Sequence, residues 1–203
     1  MASQRVALID DQEDVRDAMG EMLRVFGYQT SLFASAKDFV AQNSNDWGCI
    51  ISDVRMPEMD GMAFLQHLTQ QQQKSPIILI SGHADISMAV EALKNGAFDF
   101  IEKPVDDVKL VASINRALAR ASEELGAMRA SADLQHRFGE LTPREVEVFD
   151  LVTAGLTNQA VAEKLKISIR TVESYRAQIM DKMQADGLAK LVRQAIRLGR
   201  LAP

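Results

Sequence analysis

Residues 49–61 read "CIISDVRMPEMDG": Cys49, Ile50, Ile51 and Ser52 lead into a carboxylate, Asp53, and then into a turn built from Pro57, Asp60 and Gly61. A short apolar run bounded by turn residues predicts a buried strand. Burying a lone ionised carboxylate is costly unless a cation or hydrogen-bond donors meet it. Asp53 therefore either caps the next turn or does chemistry at the end of a strand.

The flanking sequence repeats the pattern. "RVALI" (5–9), "QTSLF" (29–33), "PIILIS" (76–81) and "FDFIE" (98–102) read as further strands beside "CIIS" (49–52). Amphipathic stretches separate them. The first carries Val15, Met19, Met22 and Phe26 at helical spacing and stops at Gly27. Ser35 and Asp85 are placed to cap the second and fourth helices, and a last helix begins near Asp106. Five such βα units predict an α/β fold, a flavodoxin-like doubly wound five-stranded parallel sheet with helices on both faces.

The last of these helices has no evident stop. From 106 to 138 there is no proline and one glycine, Gly126, while Leu110, Ile114, Ala117, Ala121, Leu125, Met128 and Ala132 keep a three-to-four spacing. Beyond about residue 120 the stripe is thin and rich in alanine. It reads either as a solvated helical linker or as a lever or coiled-coil contact. The remainder is all helical. Thr142, Pro143 and Glu145 form a capping-box signature with proline at the first helical position, and Gly155 marks the end of that helix. Segments 157–167, 168–183 and 187–199 supply three more helices. The expected organisation is a domain over 1–120, a helical linker over 121–137 and an all-α four-helix domain over 138–203.

The composition, 47% hydrophobic and 25% charged over 203 residues, is that of an ordinary globular protein. A single cysteine excludes an internal disulfide and fits a reducing compartment; inside its apolar run, Cys49 reads as a small buried hydrophobe. The N-terminus lacks the apolar core of a signal peptide, and no run approaches the ~18 apolar residues of a membrane span. A cytoplasmic protein without a membrane partner is expected. The net charge of −5 hides an asymmetry: residues 138–203 carry +2 and the first 137 carry −7. Two domains with different partners follow from that split.

In a parallel sheet the polar residues at the strand ends share one edge. Strand one ends at Asp10 and Asp11, strand three at Asp53, strand four at Ser81, and strand five leads into Lys103 and Pro104. Crowded carboxylates repel unless a cation sits among them. A hard divalent ion, Mg2+ or Mn2+ in its place, meets that need with carboxylates, waters and phosphate oxygens. A hydroxyl and an ammonium nearby are donors for phosphoryl oxygens. The set reads as an aspartyl-phosphate site in which a carboxylate is the nucleophile.

Residues 1–120 resemble the receiver domain of two-component response regulators, through Asp10–Asp11, "DVRMPEMDG", "SGHAD" and "NGAFDFIEKP". The resemblance implies that Asp53 accepts a phosphoryl group from a sensor histidine kinase. Asp11, Asp53 and the backbone carbonyl of Arg55 would hold Mg2+, with Asp10 acting through water. Lys103 and Ser81 would contact the phosphoryl oxygens, and Phe100 falls at the position of a switch aromatic. His83 and Arg55 read as modulators of phosphate lifetime rather than catalytic groups. Through "LTPREVEVFDLVTAGLTNQAVAEKLKISIRTVESYRAQIMDKM", residues 138–203 resemble the LuxR-type helix-turn-helix domain, and the whole chain is similar to the FixJ subgroup.

That second resemblance implies double-stranded promoter DNA as a partner, with 157–166 crossing the backbone and 168–183 entering the major groove. Asn158, Arg170, Thr171, Arg176 and Lys182 are candidates for DNA contact, the last four suited to phosphates. Glu173, Ser174 and Ala177 sit where base edges are faced. A homodimer on phosphorylation is expected, with RNA polymerase as a further candidate partner. Two rivals are distinguishable. A Mg2+-dependent phosphohydrolase similar to the haloacid dehalogenase group needs a second carboxylate two residues after the first, and that position is Arg55. A phosphorylation-independent DNA-binding protein would carry the receiver as a scaffold.

Overall fold

The computed structural model describes residues 5–42, 47–82 and 86–202. Its first part alternates strands and helices: β1 (Arg5–Ile9), α1 (Glu13–Val25), β2 (Gln29–Phe33), α2 (Ala36–Ala41), β3 (Cys49–Asp53), α3 (Gly61–Gln70), β4 (Ile77–Ser81), α4 (Ile86–Lys94), β5 (Asp99–Glu102) and α5 (Asp107–Gly139). The strands form one parallel sheet in the order β2-β1-β3-β4-β5. This is the doubly wound arrangement expected from the βα repeats, and its switch point lies between β1 and β3.

The central strands bury both faces, which is why they read as unbroken apolar runs. Along β1, Val6 and Leu8 face one core while Ala7 and Ile9 face the other. In β4, Ile78 and Ile80 join the core formed with Leu23, Leu110 and Ile114, whereas Ile77 and Leu79 pack with Phe64, Leu65 and Trp47. Phe39 and Phe64 meet edge-to-face at 5.3 Å within the second of these cores. Cys49 is fully buried, and burial pushes its thiol up to about 12.

One expectation is corrected. Phe26 is half exposed, and α1 buries Met19, Gly20 and Leu23 instead. The helix ends at Val25, with Phe26 as its C-cap, so Phe26 has left the helical stripe. β3 ends on Asp53, which is registered opposite Ile80 of β4. Ser35 caps α2, accepting from the Asp38 N–H at 3.1 Å; Asp85 and His83 lie outside the described residues. In α5, Leu110, Ile114 and Ala117 are buried, but Leu125 and Met128 are exposed.

The chain divides into two compact units, residues 1–125 and 126–203. The second contains α6 (Pro143–Thr153), α7 (Asn158–Leu165), α8 (Ile169–Lys182) and α9 (Leu188–Arg197). Val148, Phe149, Val152, Val161, Val172, Ile179, Met183 and Leu191 form its core. The capping box at the start of α6 is complete: Thr142 Oγ1 accepts from the Glu145 N–H, and Glu145 Oε2 accepts from the Thr142 N–H at 2.7 Å. Thr157 and Ser168 cap α7 and α8 through their hydroxyls, which accept from the Ala160 and Thr171 N–H groups.

Candidate phospho-acceptor site and nucleic-acid interface

The carboxyl ends of β1, β3, β4 and β5 bring Asp10, Asp53, Ser81 and Lys103 to one edge of the sheet. Asp10 and Asp53 are nearly buried, and Ser81 fully so. Both oxygens of Asp53 are engaged. Oδ1 pairs with the Lys103 ammonium at 2.5 Å, and Oδ2 accepts from the Arg55 backbone N–H at 2.6 Å. Lys103 also donates to Asp10 Oδ2 at 2.9 Å, while Asp10 Oδ1 accepts from the Gln12 N–H at 2.9 Å. The backbone N–H of Lys103 donates to the Ser81 carbonyl at 2.8 Å, which ties the loop after β5 to the end of β4.

One ammonium thus serves two buried carboxylates. Burial pushes the Asp53 carboxyl above its ordinary value, the Asp10 charge adds to the rise, and Lys103 opposes it. Burial alone would lower the Lys103 ammonium. The hydrogen bonds to Asp53 and Asp10 outweigh that effect and hold it above its ordinary value. Lys103 therefore stays charged, and the edge retains uncompensated negative charge that attracts a further cation.

Asp11 is exposed, unlike Asp10. Among the described residues no three His, Cys, Asp or Glu side chains gather into a metal-holding group. Asp10 is turned to the Lys103 ammonium and the Gln12 N–H. The donor set is still all oxygen, and a hard ion that keeps several waters needs only one or two carboxylates. Arg55 is exposed. Phe100 is half-buried against the core that contains Phe64 and Leu79.

Two positioning groups escaped the sequence reading. Arg16 donates from its guanidinium to the Asp10 carbonyl at 2.8 Å, bracing the β1–α1 turn; a lone arginine in an amphipathic helix carries no signal of this. The sequence marks Gly61 only as a turn residue. Its N–H donates to the Val54 carbonyl at 2.8 Å, and a Cβ there would lie 2.5 Å from the Asp53 carbonyl oxygen and 2.8 Å from Val54 Cα. Both are backbone atoms, so the loop holding Asp53 would have to move. Gly61→Ala is expected to cost about 1–3 kcal/mol in thermal or urea unfolding and to slow phosphoryl uptake at Asp53.

In the helical unit, α7 and α8 are joined by residues 166–168, with Lys166 in the left-handed region at φ 56°. Ile167 packs back into the core. On α8, Arg170, Glu173, Ser174 and Ala177 are exposed, and their spacing puts them on one face opposite Val172, Ile179 and Met183. Thr171 is half-buried, and its hydroxyl bonds to that of Ser168 at 2.7 Å. Arg176 donates to Asn158 Oδ1 at 2.5 Å, joining α8 to the start of α7.

Lys182 does not share the exposed face. Its ammonium pairs with Glu145 Oε2 at 2.7 Å and donates to the Glu140 carbonyl at 3.3 Å. Burial alone would raise the Glu145 carboxyl, but the bonds from Lys182 and Thr142 hold it below its ordinary value. A carboxyl held low in the folded state contributes stability that is fully present above its unfolded value and is lost as pH falls through the folded one. Glu145→Gln is therefore expected to cost about 1–3 kcal/mol at neutral pH. The gap in melting temperature from wild type should narrow below about pH 4.5, the unfolded value.

A parallel sheet presenting a lysine-paired aspartate at its switch point, in one chain with a helix-turn-helix unit, defines a class: phosphoryl-controlled DNA-binding regulators. Family models agree. Residues 6–115 match the response regulator receiver domain, and residues 139–195 match the bacterial regulatory proteins of the luxR family. The chain belongs to the two-component response regulators with a LuxR-type DNA-binding domain, and is a transcription regulator.

It is 41% identical to the transcriptional regulatory protein FixJ of Bradyrhizobium diazoefficiens over 197 residues, covering 97% of this chain and 96% of that protein. It is 38% identical to the tetrathionate response regulatory protein TtrR of Salmonella typhimurium over 190 residues, covering 93% and 90%. Among solved structures, the response regulator StyR matches with a TM-score of 0.85 at 33% identity over 95% of this chain and 98% of that one. The beryllofluoride-activated NtrC4 receiver domain dimer matches over 58% of this chain and 98% of that one, with a TM-score of 0.54 and 28% identity. No helix among the described residues is long and apolar enough to cross a membrane.

Proposed function

We propose that the chain is switched by phosphoryl transfer from the phosphohistidine of a sensor histidine kinase to Asp53. The observation that carries this is the Lys103 ammonium 2.5 Å from Asp53 Oδ1 at the carboxyl edge of the sheet. A carboxylate oxygen of Asp53 forms the new P–O bond as the P–N bond to the donor imidazole breaks, and the departing ring nitrogen takes up a proton. Lys103 offsets charge on the phosphoryl oxygens, and the Ser81 hydroxyl donates to another of them. Asp10, Asp11, Asp53 and the Arg55 carbonyl are the groups that would hold Mg2+ or Mn2+, which when bound neutralises phosphoryl charge. Arg55, two residues after Asp53, cannot act as the general acid of a hydrolase, so external substrates are not turned over.

Ser81 moving toward the phosphoryl group leaves room for Phe100 to turn inward, which reshapes the surface around α4 and β5. The output is a homodimer, as in the NtrC4 receiver dimer, that places two α8 helices on half-sites of promoter DNA. Arg170 meets phosphates, while Glu173, Ser174 and Ala177 face base edges. Asn158, Thr171 and Arg176 line the start of the same surface. RNA polymerase is the downstream partner, and the cytoplasm the compartment. Taking such a switch from 1:99 to 99:1 requires about 5.5 kcal/mol.

Sizing the protein in Mg2+, with and without beryllofluoride, tests the reading, with duplex retention measured in parallel. A monomer that becomes a dimer and holds duplex more tightly supports it. Tighter DNA binding without a change of mass moves the output to release of the DNA-binding unit. No response in either measurement leaves the receiver as a scaffold and sinks the proposal.

A further inference from the structure

Like Arg176, which donates to Asn158 Oδ1, Lys182 is bound inside the helical unit. At ~100° per residue, it lies roughly 100° around the helix from the face that carries Arg170, Ser174 and Ala177. Two of its three ammonium hydrogens are spoken for inside the unit, by the Glu145 carboxylate at 2.7 Å and the Glu140 carbonyl at 3.3 Å. Glu145 is 2% exposed, and its same oxygen also closes the capping box with Thr142. The ammonium therefore joins the last turn of α8 to the chain entering α6 and to that helix's first turn. A cation in the last turn of one helix and a carboxylate in the first turn of another also each suit their own helix dipole.

We propose that Lys182 is a positioning residue: it anchors the carboxyl end of α8 to the start of α6 and so sets the angle at which the helix enters DNA, without contacting phosphate. This rests on the reading of α8 as the DNA-entering helix. Buried pairs respond asymmetrically to mutation. Removing one partner strands the other charge, whereas replacing both with apolar groups of similar volume is often neutral. A phosphate contact behaves differently, since its loss lowers the salt dependence of binding by about 0.9 per phosphate in the slope of log K against log salt.

The experiment uses the full chain and a random-sequence 30-base-pair duplex titrated over a range of KCl concentrations, with melting temperatures measured in parallel. Wild type is compared with Lys182→Met, with Lys182→Met combined with Glu145→Met, and with Arg170→Ala. Lys182→Met should melt lower and bind several-fold more weakly with an unchanged salt slope. The double variant should recover part of both losses, short of all because Glu145→Met also removes the acceptor of the Thr142 N–H, and Arg170→Ala should lower the slope by about one. A Lys182→Met protein with wild-type melting and a slope reduced by about one overturns the proposal, as does a double variant no better than the single. Should Lys182→Met fail to fold, recovery or non-recovery in the double variant still decides. A wild-type chain that holds no duplex overturns the DNA reading instead, while equal melting of wild type and Lys182→Met overturns the anchor by itself.

Discussion

Asp53→Asn is expected to take up at least 100-fold less phosphoryl group from a small donor in Mg2+ than wild type, and to remain unresponsive in sizing. The amide cannot serve as the nucleophile, yet its oxygen can still accept from the Arg55 N–H that now meets Asp53 Oδ2 at 2.6 Å. The backbone around the site has no cause to move. The substitution also removes a buried negative charge from beside Asp10, where burial already holds the Asp53 carboxyl above its ordinary value. Its melting temperature should equal or exceed that of wild type. Radiolabel or intact-mass measurement reads incorporation and a thermal melt reads folding. A variant that still incorporates phosphoryl at the wild-type level would place the acceptor elsewhere.

Phe149→Ala should unfold much of the helical unit's margin of stability. Phe149 is fully buried among Val148, Val152, Val161 and Val172, and meets Phe138 edge-to-face at 5.3 Å. Truncating such a ring leaves a cavity as well as losing its transfer energy, together about 3–5 kcal/mol. Domains are stable by about 5–15 kcal/mol, and a unit of 126–203 sits toward the low end of that range. Denaturant melts should show the helical transition shifted or lost, and duplex binding should fall with it. Phosphoryl uptake, which depends on Asp53, Asp10 and Lys103, serves as the internal control. If DNA binding survives unchanged, α8 does not depend on this core.

The βα alternation, the parallel sheet and the four-helix tail were legible because each is written in local periodicity. Apolar runs such as "PIILIS" carry no competing signal, and capping residues such as Ser35 and Thr142 act within three residues of themselves. The strand-end set was legible for a topological reason: once strands are parallel, Asp10, Asp53, Ser81 and Lys103 must share an edge. What escaped depends on contacts distant in sequence. Nothing in the spacing from Glu145 to Lys182 announces their pairing, so Lys182 read as one more cation on a basic helix. The close approach of Gly61 to the Asp53 carbonyl is a steric fact of the folded loop. The different fates of the adjacent Asp10 and Asp11 follow from where Lys103 arrives, far along the chain. Phe26 misled because helical spacing continued for one residue past the end of the helix.

The buried thiol at Cys49 has a practical bearing on all of these measurements. It is the chain's one cysteine; it is fully enclosed, and with its titration pushed up to about 12 it presents almost no thiolate at neutral pH. Maleimide dyes will pass it by while the protein is folded. A single-cysteine substitution at an exposed position of α8 outside the base-facing set, such as Gln178→Cys, can therefore carry one fluorophore without first deleting the native residue. The docking of that helix could then be followed by energy transfer to a second dye carried on the duplex, with the rest of the protein wild type.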